Sequence, residues 1–320
     1  MKKGLLITAV VLVAVGLLIF GIVLVATNFN LAKMDSAKYE TNTHTPEGDF
    51  ESIEIQTDEA DVSFYLSEDG EVRVVCFEPE KVKHEVLVEN GTLKITSVDT
   101  RKWSDRVTFF SSKSPSVKVY LPKEAYASLL VTSSTGDVTV PDGFSFGDVL
   151  VTVSTGRVLM EASSSGSMKI TASTGGIRLT GVFAKQMDLS VSTGRIHAQD
   201  IEVEGAFSVK TGTGKTVLTD VKCQTLFTKG STGDLILKNT VASDSFTIER
   251  NTGDVYFENS DAPEISVKTS TGDVTGTLRT EKIFRTETST GRIKVPDTVS
   301  GGVCRITTST GDIKIEIAND

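Results

Sequence analysis

The side chains that most often do chemistry are scarce in this chain. Three histidines, three cysteines and one tryptophan are spread over 320 residues. None of His44, His84 and His197 sits in a metal or hydrolase motif, and there is no Gly-x-Ser-x-Gly elbow. Cys76, Cys223 and Cys304 are odd in number and contain no CxxC pair. That excludes a disulfide framework or a zinc ribbon and favours small buried apolar groups. Positive charge is short as well: 33 basic against 42 acidic side chains leave a net charge of −9. A nucleic-acid footprint is therefore not expected. Gly214-Lys215-Thr216 has the form of a phosphate-loop tail, but Val209 stands where the loop's first glycine belongs. No cofactor is implied by any segment.

What the chain does have begins with an apolar run. Lys2 and Lys3 precede an uncharged stretch from Gly4 to about Thr27. About twenty apolar residues cross a bilayer as a helix, and Val23-Leu24-Val25-Ala26 offers no clean cleavage site. Residues 1–27 are thus expected to be an uncleaved transmembrane signal anchor. The charge bias places the N-terminus inside and the bulk of the chain outside the cell membrane. Residues 28–49 read as a polar linker.

Residues 50–131 show β alternation without a repeat. Ile53 and Ile55, then Val62, Phe64 and Leu66, then Val72, Val74 and Cys76 mark strands. Glu89-Asn90-Gly91 is a hairpin turn. A charged loop carrying Arg101, Trp103 and Arg106 interrupts the pattern; these are contact-loop candidates, since Trp and Arg favour binding anchors. The region is expected to cap the C-terminal part of the chain.

From residue 132 to 320 a Ser-Thr-Gly corner recurs every 19 or 20 residues, at Gly136, Gly156, Gly175, Gly194, Gly214, Gly233, Gly253, Gly272, Gly291 and Gly311. A period this regular predicts a solenoid. Apolar residues alternate on both sides of each corner, as in Val149, Val151, Val153 before one and Ile177, Leu179 after another. Each coil therefore carries two main strands, with room for a third. Glycine supplies the sharp turn, and the Ser-Thr hydroxyls are expected to form ladders. One coil cannot bury enough apolar surface to fold alone, so stacking must stabilise it. The fold class is all-β: a β-solenoid of 19–20 residues per coil behind one transmembrane helix.

The position after each corner varies. Asp234, Asp254 and Asp273 would be near neighbours, which makes them weak candidates for a divalent cation. A β-helix polysaccharide enzyme would need paired carboxylates and aromatic platforms. Beyond residue 132 there is no Trp, and Tyr256 is the sole Tyr. The chain is accordingly read as a non-enzyme.

One resemblance covers residues 50–320. Ile53-Glu54-Ile55, Ala60-Asp61-Val62 and Val117-Lys118-Val119-Tyr120-Leu121-Pro122 lead into Leu129–Val131 and repeated Ser-Thr-Gly-Asp-Val units such as Ser270–Val274. In this order they resemble the bacterial putative-adhesin family of β-solenoid domains. The resemblance implies a surface-exposed, non-enzymatic bacterial protein with a protein or glycan partner. Departures are local: Asn251 replaces the corner Ser, Thr211-Gly212-Thr213-Gly214 doubles a corner, and five corners lack the Asp. The function expected is that of an adhesin or envelope scaffold. The alternatives are an accessory partner of a membrane stress-response system and a surface polysaccharide enzyme.

Overall fold

The computed structural model describes residues 2–26, 38–102, 113–122 and 125–318. Beyond a single N-terminal helix, Lys2–Ala26, the described elements are all strands. Nearly all join one parallel stack, because period-two alternation gives every coil an apolar inner face that only another coil can extend.

A typical coil has three sides. In the Gly156 coil, Val149, Val151 and Val153 point inward before the corner, and Val158 and Met160 point inward after it. A short third side then pairs with its neighbours, as in Ser145↔Ser163 and Phe183↔Glu202. At the corners register is kept residue for residue: Gly156 pairs with Gly175 and Gly175 with Gly194. The core is one continuous cluster from Phe50 to Ile315.

Many coils use left-handed backbone at two turns. At the corner, Gly194 has φ +150°, and a Cβ built there would stand 1.4 Å from the Gly175 carbonyl oxygen. Glycine is thus required both for its conformation and for the close approach of the next coil. At the second turn, Asp200, Asp220, Asn239 and Asn259 take φ of about +50°, which Asn and Asp tolerate best. Their side chains also stack: Asn239 donates to Asp220 at 3.0 Å and Asn259 to Asn239 at 2.9 Å.

The order of coils in space differs from their order in sequence at both ends. Strand Ser52–Thr57 lies between Thr92–Asp99 and Ala125–Thr135, parallel to both. Strand Asp61–Leu66 likewise pairs with Ser116–Leu121 and with Val138–Val140. Residues 52–66 thus form a coil of the same stack. At the other end, Gly302–Thr310 pairs with Glu264–Thr271 on one side and Lys282–Thr290 on the other. The last coil in sequence is inserted between the two that precede it, so the Gly291 coil is the outermost. Antiparallel strands close the opposite end: Tyr39–His44 on Arg73–Pro79, and Val82–Glu89 on Thr92–Asp99. The latter hairpin turns at Asn90 and Gly91, both left-handed, as the sequence predicts.

One expectation is corrected. Among the described residues, no helix is long and apolar enough to cross a membrane. The transmembrane anchor is therefore withdrawn. The single-pass placement, with the N-terminus inside and the bulk of the chain outside, is withdrawn with it.

Candidate functional site

The residue after each corner glycine forms a column along the stack. Taken in spatial order, and headed by Asp61, where Ala60 stands in place of the glycine, it reads Asp61, Asp137, Arg157, Gly176, Arg195, Lys215, Asp234, Asp254, Asp273, Asp312 and Arg292. The coil inversion brings Asp312 next to Asp273, so four aspartates are consecutive. Their role is visible in their bonds. Asp137 N–H donates to the Asp61 carboxylate at 2.8 Å. Asp273 N–H donates to Asp254 at 2.8 Å, Asp312 N–H to Asp273 at 2.7 Å, and Arg292 N–H to Asp312 at 2.8 Å. Each carboxylate caps a backbone N–H of the neighbouring coil, a charge-assisted bond that also offsets repulsion along the column.

The ladder at the corner is accordingly made by backbone and carboxylate. Glycine N–H groups donate to threonine carbonyls of the adjacent coil, as from Gly233 to Thr252 at 2.8 Å. Hydroxyl-to-hydroxyl bonds between corner Ser and Thr residues, expected from the sequence, do not occur among the described residues.

Bonding to backbone N–H groups of the next coil lowers selected carboxyl pKa values. Asp312 is held below its ordinary value of 3.8, first by the backbone N–H of Arg292 and then by its guanidinium. Asp148 is lowered likewise by the backbone N–H and hydroxyl of Ser167. A lowered folded pKa means stability present above the ordinary carboxylate range and lost as pH falls through the lowered value. Carboxyl NMR titration should therefore find both groups titrating below 3.8. In R292A, Asp312 should return only part of the way, because the backbone donor remains.

The capping rule lapses in four consecutive coils. Arg157, Gly176, Arg195 and Lys215 offer no carboxylate to the coil above, and there the face opens into a groove of about 960 Å³. Arg178 and His197 project into it from the strands after two of the corners, and Leu159 and Val217 form apolar parts of its wall. Gly176, without a side chain, leaves a notch between Arg157 and Arg195. Arg157 forms an ion pair with Asp137 at 2.6 Å. Arg178, Arg195 and Lys215 are exposed and have no carboxylate partner among the described residues. Coil spacing places successive column charges about 5 Å apart, or about 10 Å across the notch. The arrangement suits a linear chain bearing regularly spaced negative charge.

The residues singled out in the sequence are distributed differently. The three aspartates Asp234, Asp254 and Asp273 lie together, with their carboxylates engaged by backbone. Arg101 is bound to Asp99 at 3.0 Å, while Trp103 and Arg106 lie outside the described residues. All three cysteines are buried free thiols, and burial pushes Cys223 and Cys304 up to about 12.

A buried polar cluster was missed. Cys76, Glu78 and His84 form the one set of three metal-ligating atoms within 4.8 Å of one another among the described residues. Glu78 accepts the His84 backbone N–H at 2.7 Å and lies 2.7 Å from its Nδ1. Its other oxygen accepts from Asn42 at 2.7 Å, and His84 Nε2 lies 3.2 Å from the Thr57 hydroxyl. The Glu78 and His84 groups are thus satisfied within the protein, and the cluster clasps the end hairpins onto the stack. The signal available in sequence was Cys76-Phe77-Glu78, two polar groups in the inward phase of a strand.

No curated protein matches the chain. Among solved structures, a putative adhesin from Bacteroides fragilis is 14% identical with a TM-score of 0.45, covering 88% of this chain and 98% of its own. A putative adhesin from Parabacteroides merdae is 12% identical with a TM-score of 0.43 at the same coverages. A putative lipid binding protein from Parabacteroides distasonis is 12% identical with a TM-score of 0.33, covering 76% of this chain and 98% of its own. The family model described as Toastrack DUF4097 matches residues 50–214 and again 202–320. With its corners, its stacked coils and both of these matches, the chain belongs to the Toastrack DUF4097 family.

Proposed function

We propose that this protein is a non-enzymatic binding rod, of adhesin or scaffold type, which holds an acidic glycan in the groove around Gly176. The observation that carries the reading is the lapse of the aspartate ladder in four adjacent coils. A repeat that breaks its own structural rule at one place, and substitutes unpaired cations there, marks function more than stability. Glu161 is the one carboxylate lining the groove, whereas acid–base cleavage of a glycosidic bond uses two.

The triple variant R178Q/R195Q/K215Q tests this. Wild-type protein should bind polygalacturonate, with affinity falling as salt is raised from about 50 to 200 mM through screening, and should ignore neutral dextran. The variant should bind the acidic polymer at least about tenfold more weakly, the equivalent of 1.4 kcal/mol. Its solvent-exposed substitutions should leave the unfolding midpoint nearly unchanged. Equal binding by the variant, or equal binding of dextran, would refute the proposal.

A further inference from the structure

Besides the three thiols and Tyr126, five charged or titratable side chains are buried in the described structure: Glu78, His84, Arg250, Asp261 and Lys282. Glu78 and His84 bind each other, and Lys282 meets Asp261 at 2.7 Å. Arg250 alone is unpaired. It is 3% exposed, and its Nε, Nη1 and Nη2 atoms have no hydrogen-bond partner.

The position of Arg250 follows from strand phase. Phe246, Ile248 and Arg250 alternate inward on one strand, so the guanidinium lies inside the solenoid. It is accommodated by its neighbour below: Gly230 pairs with Arg250, and a Cβ on Gly230 would stand 1.8 Å from Nη1. Above, Thr269 pairs with Arg250. Thr228 lies two residues before Gly230 on the coil below. The hydroxyls of Thr228 and Thr269 are also buried without partners. Three successive coils thus place a guanidinium and two hydroxyls, all able to donate, in one stretch of the interior.

Burial pulls the Arg250 pKa down to about 10, opposed by the charge of Asp234. Arg250 therefore remains charged at neutral pH. A buried cation with no counter-charge bound directly to it is costly, and five N–H donors without acceptors add to the cost. Unpaired buried groups of this kind call for a bound ion or water.

We propose that Arg250, with Thr228 and Thr269, forms an internal site for one small inorganic monovalent anion of the halide class. A single negative charge balances the guanidinium. With all three guanidinium nitrogens shielded from solvent, the occupant must be small, and a bulky carboxylate is excluded. The ion enters as the coils close and is part of the folded core.

Two measurements on the full chain decide it. Thermal unfolding is followed at fixed ionic strength while chloride replaces gluconate. Wild type should be stabilised, with each tenfold rise in chloride adding up to tenfold to the folded-to-unfolded ratio, and R250M should show no response. A flat wild-type response, or an equal response in R250M, overturns the proposal. Independently of any variant, anomalous diffraction from wild-type crystals grown in bromide should show one peak against the Arg250 guanidinium. A water there in place of bromide also overturns it.

Discussion

Gly194→Ala should cost about 4 kcal/mol or more and remove the cooperative unfolding transition of the coils around it. Two effects combine. At φ +150° an L-residue is strained in its own backbone. The new methyl carbon would also stand 1.4 Å from the Gly175 carbonyl, which cannot retreat because Gly175 is paired to Gly156 on its far side. Gly143→Ala is the matched control: φ is +86° but nothing lies within 4 Å of the added carbon. Only the backbone penalty applies there, about 1–2 kcal/mol. Urea unfolding followed by circular dichroism separates them. Should G194A and G143A prove equally stable, the steric account of the corner is wrong.

Deleting residues 302–320 should unfold two coils instead of one. In sequence order the deleted coil is terminal, and its loss would leave the Gly291 coil on the stack. In space it is the neighbour that holds the Gly291 coil: Lys282–Thr290 pairs with Gly302–Thr310, and Ile293–Lys294 with Ile313–Lys314. Phe284, half-buried against the core, would lose its cover. Amide exchange over residues 282–294 should accelerate on the order of a hundredfold or more in the truncated chain, while residues 125–240 keep their protection. Retained protection over 282–294 would contradict the inverted order.

These two predictions differ in how far the sequence alone supports them. The corner is written in plain spacing, and a glycine recurring once per coil implies a turn that only glycine makes. The alternation of Val149, Val151 and Val153 places the core with equal clarity. The inversion is hidden by the same regularity. Thr290-Gly291 and Thr310-Gly311 present identical surfaces to Thr271-Gly272, so the pattern states that coils stack without stating which ones touch. What decides is the long connection around Pro296 to Gly301, whose course depends on tertiary packing.

The site was less legible than the fold. The variable column after the corner is visible in the sequence, with its aspartates and its arginines, but what its carboxylates bond to is not. Asp234, Asp254 and Asp273 drew attention as adjacent charges, whereas their carboxylates cap backbone N–H groups. That use depends on a 2.7–3.2 Å distance across coils, which sequence spacing does not contain. The Arg157 to Lys215 interval stands out only against the carboxylate ladder on either side of it. Arg250 could have been found: the phase set by Phe246 and Ile248 points it inward, and only the habit of treating arginine as exposed hides it.

The inserted final coil also sets how the rod would respond to load. A terminal coil at the free end of a stack can be peeled, one ladder bond breaking at a time. A pull applied at the C-terminus reaches a coil paired on both flanks, and the force is shared by two parallel ladders loaded in shear. At the other end the coil 52–66 is gripped in the same way. Both ends of the array are thus stitched, with each penultimate thread passed under the outermost one, so that tension tightens where simple winding would unravel.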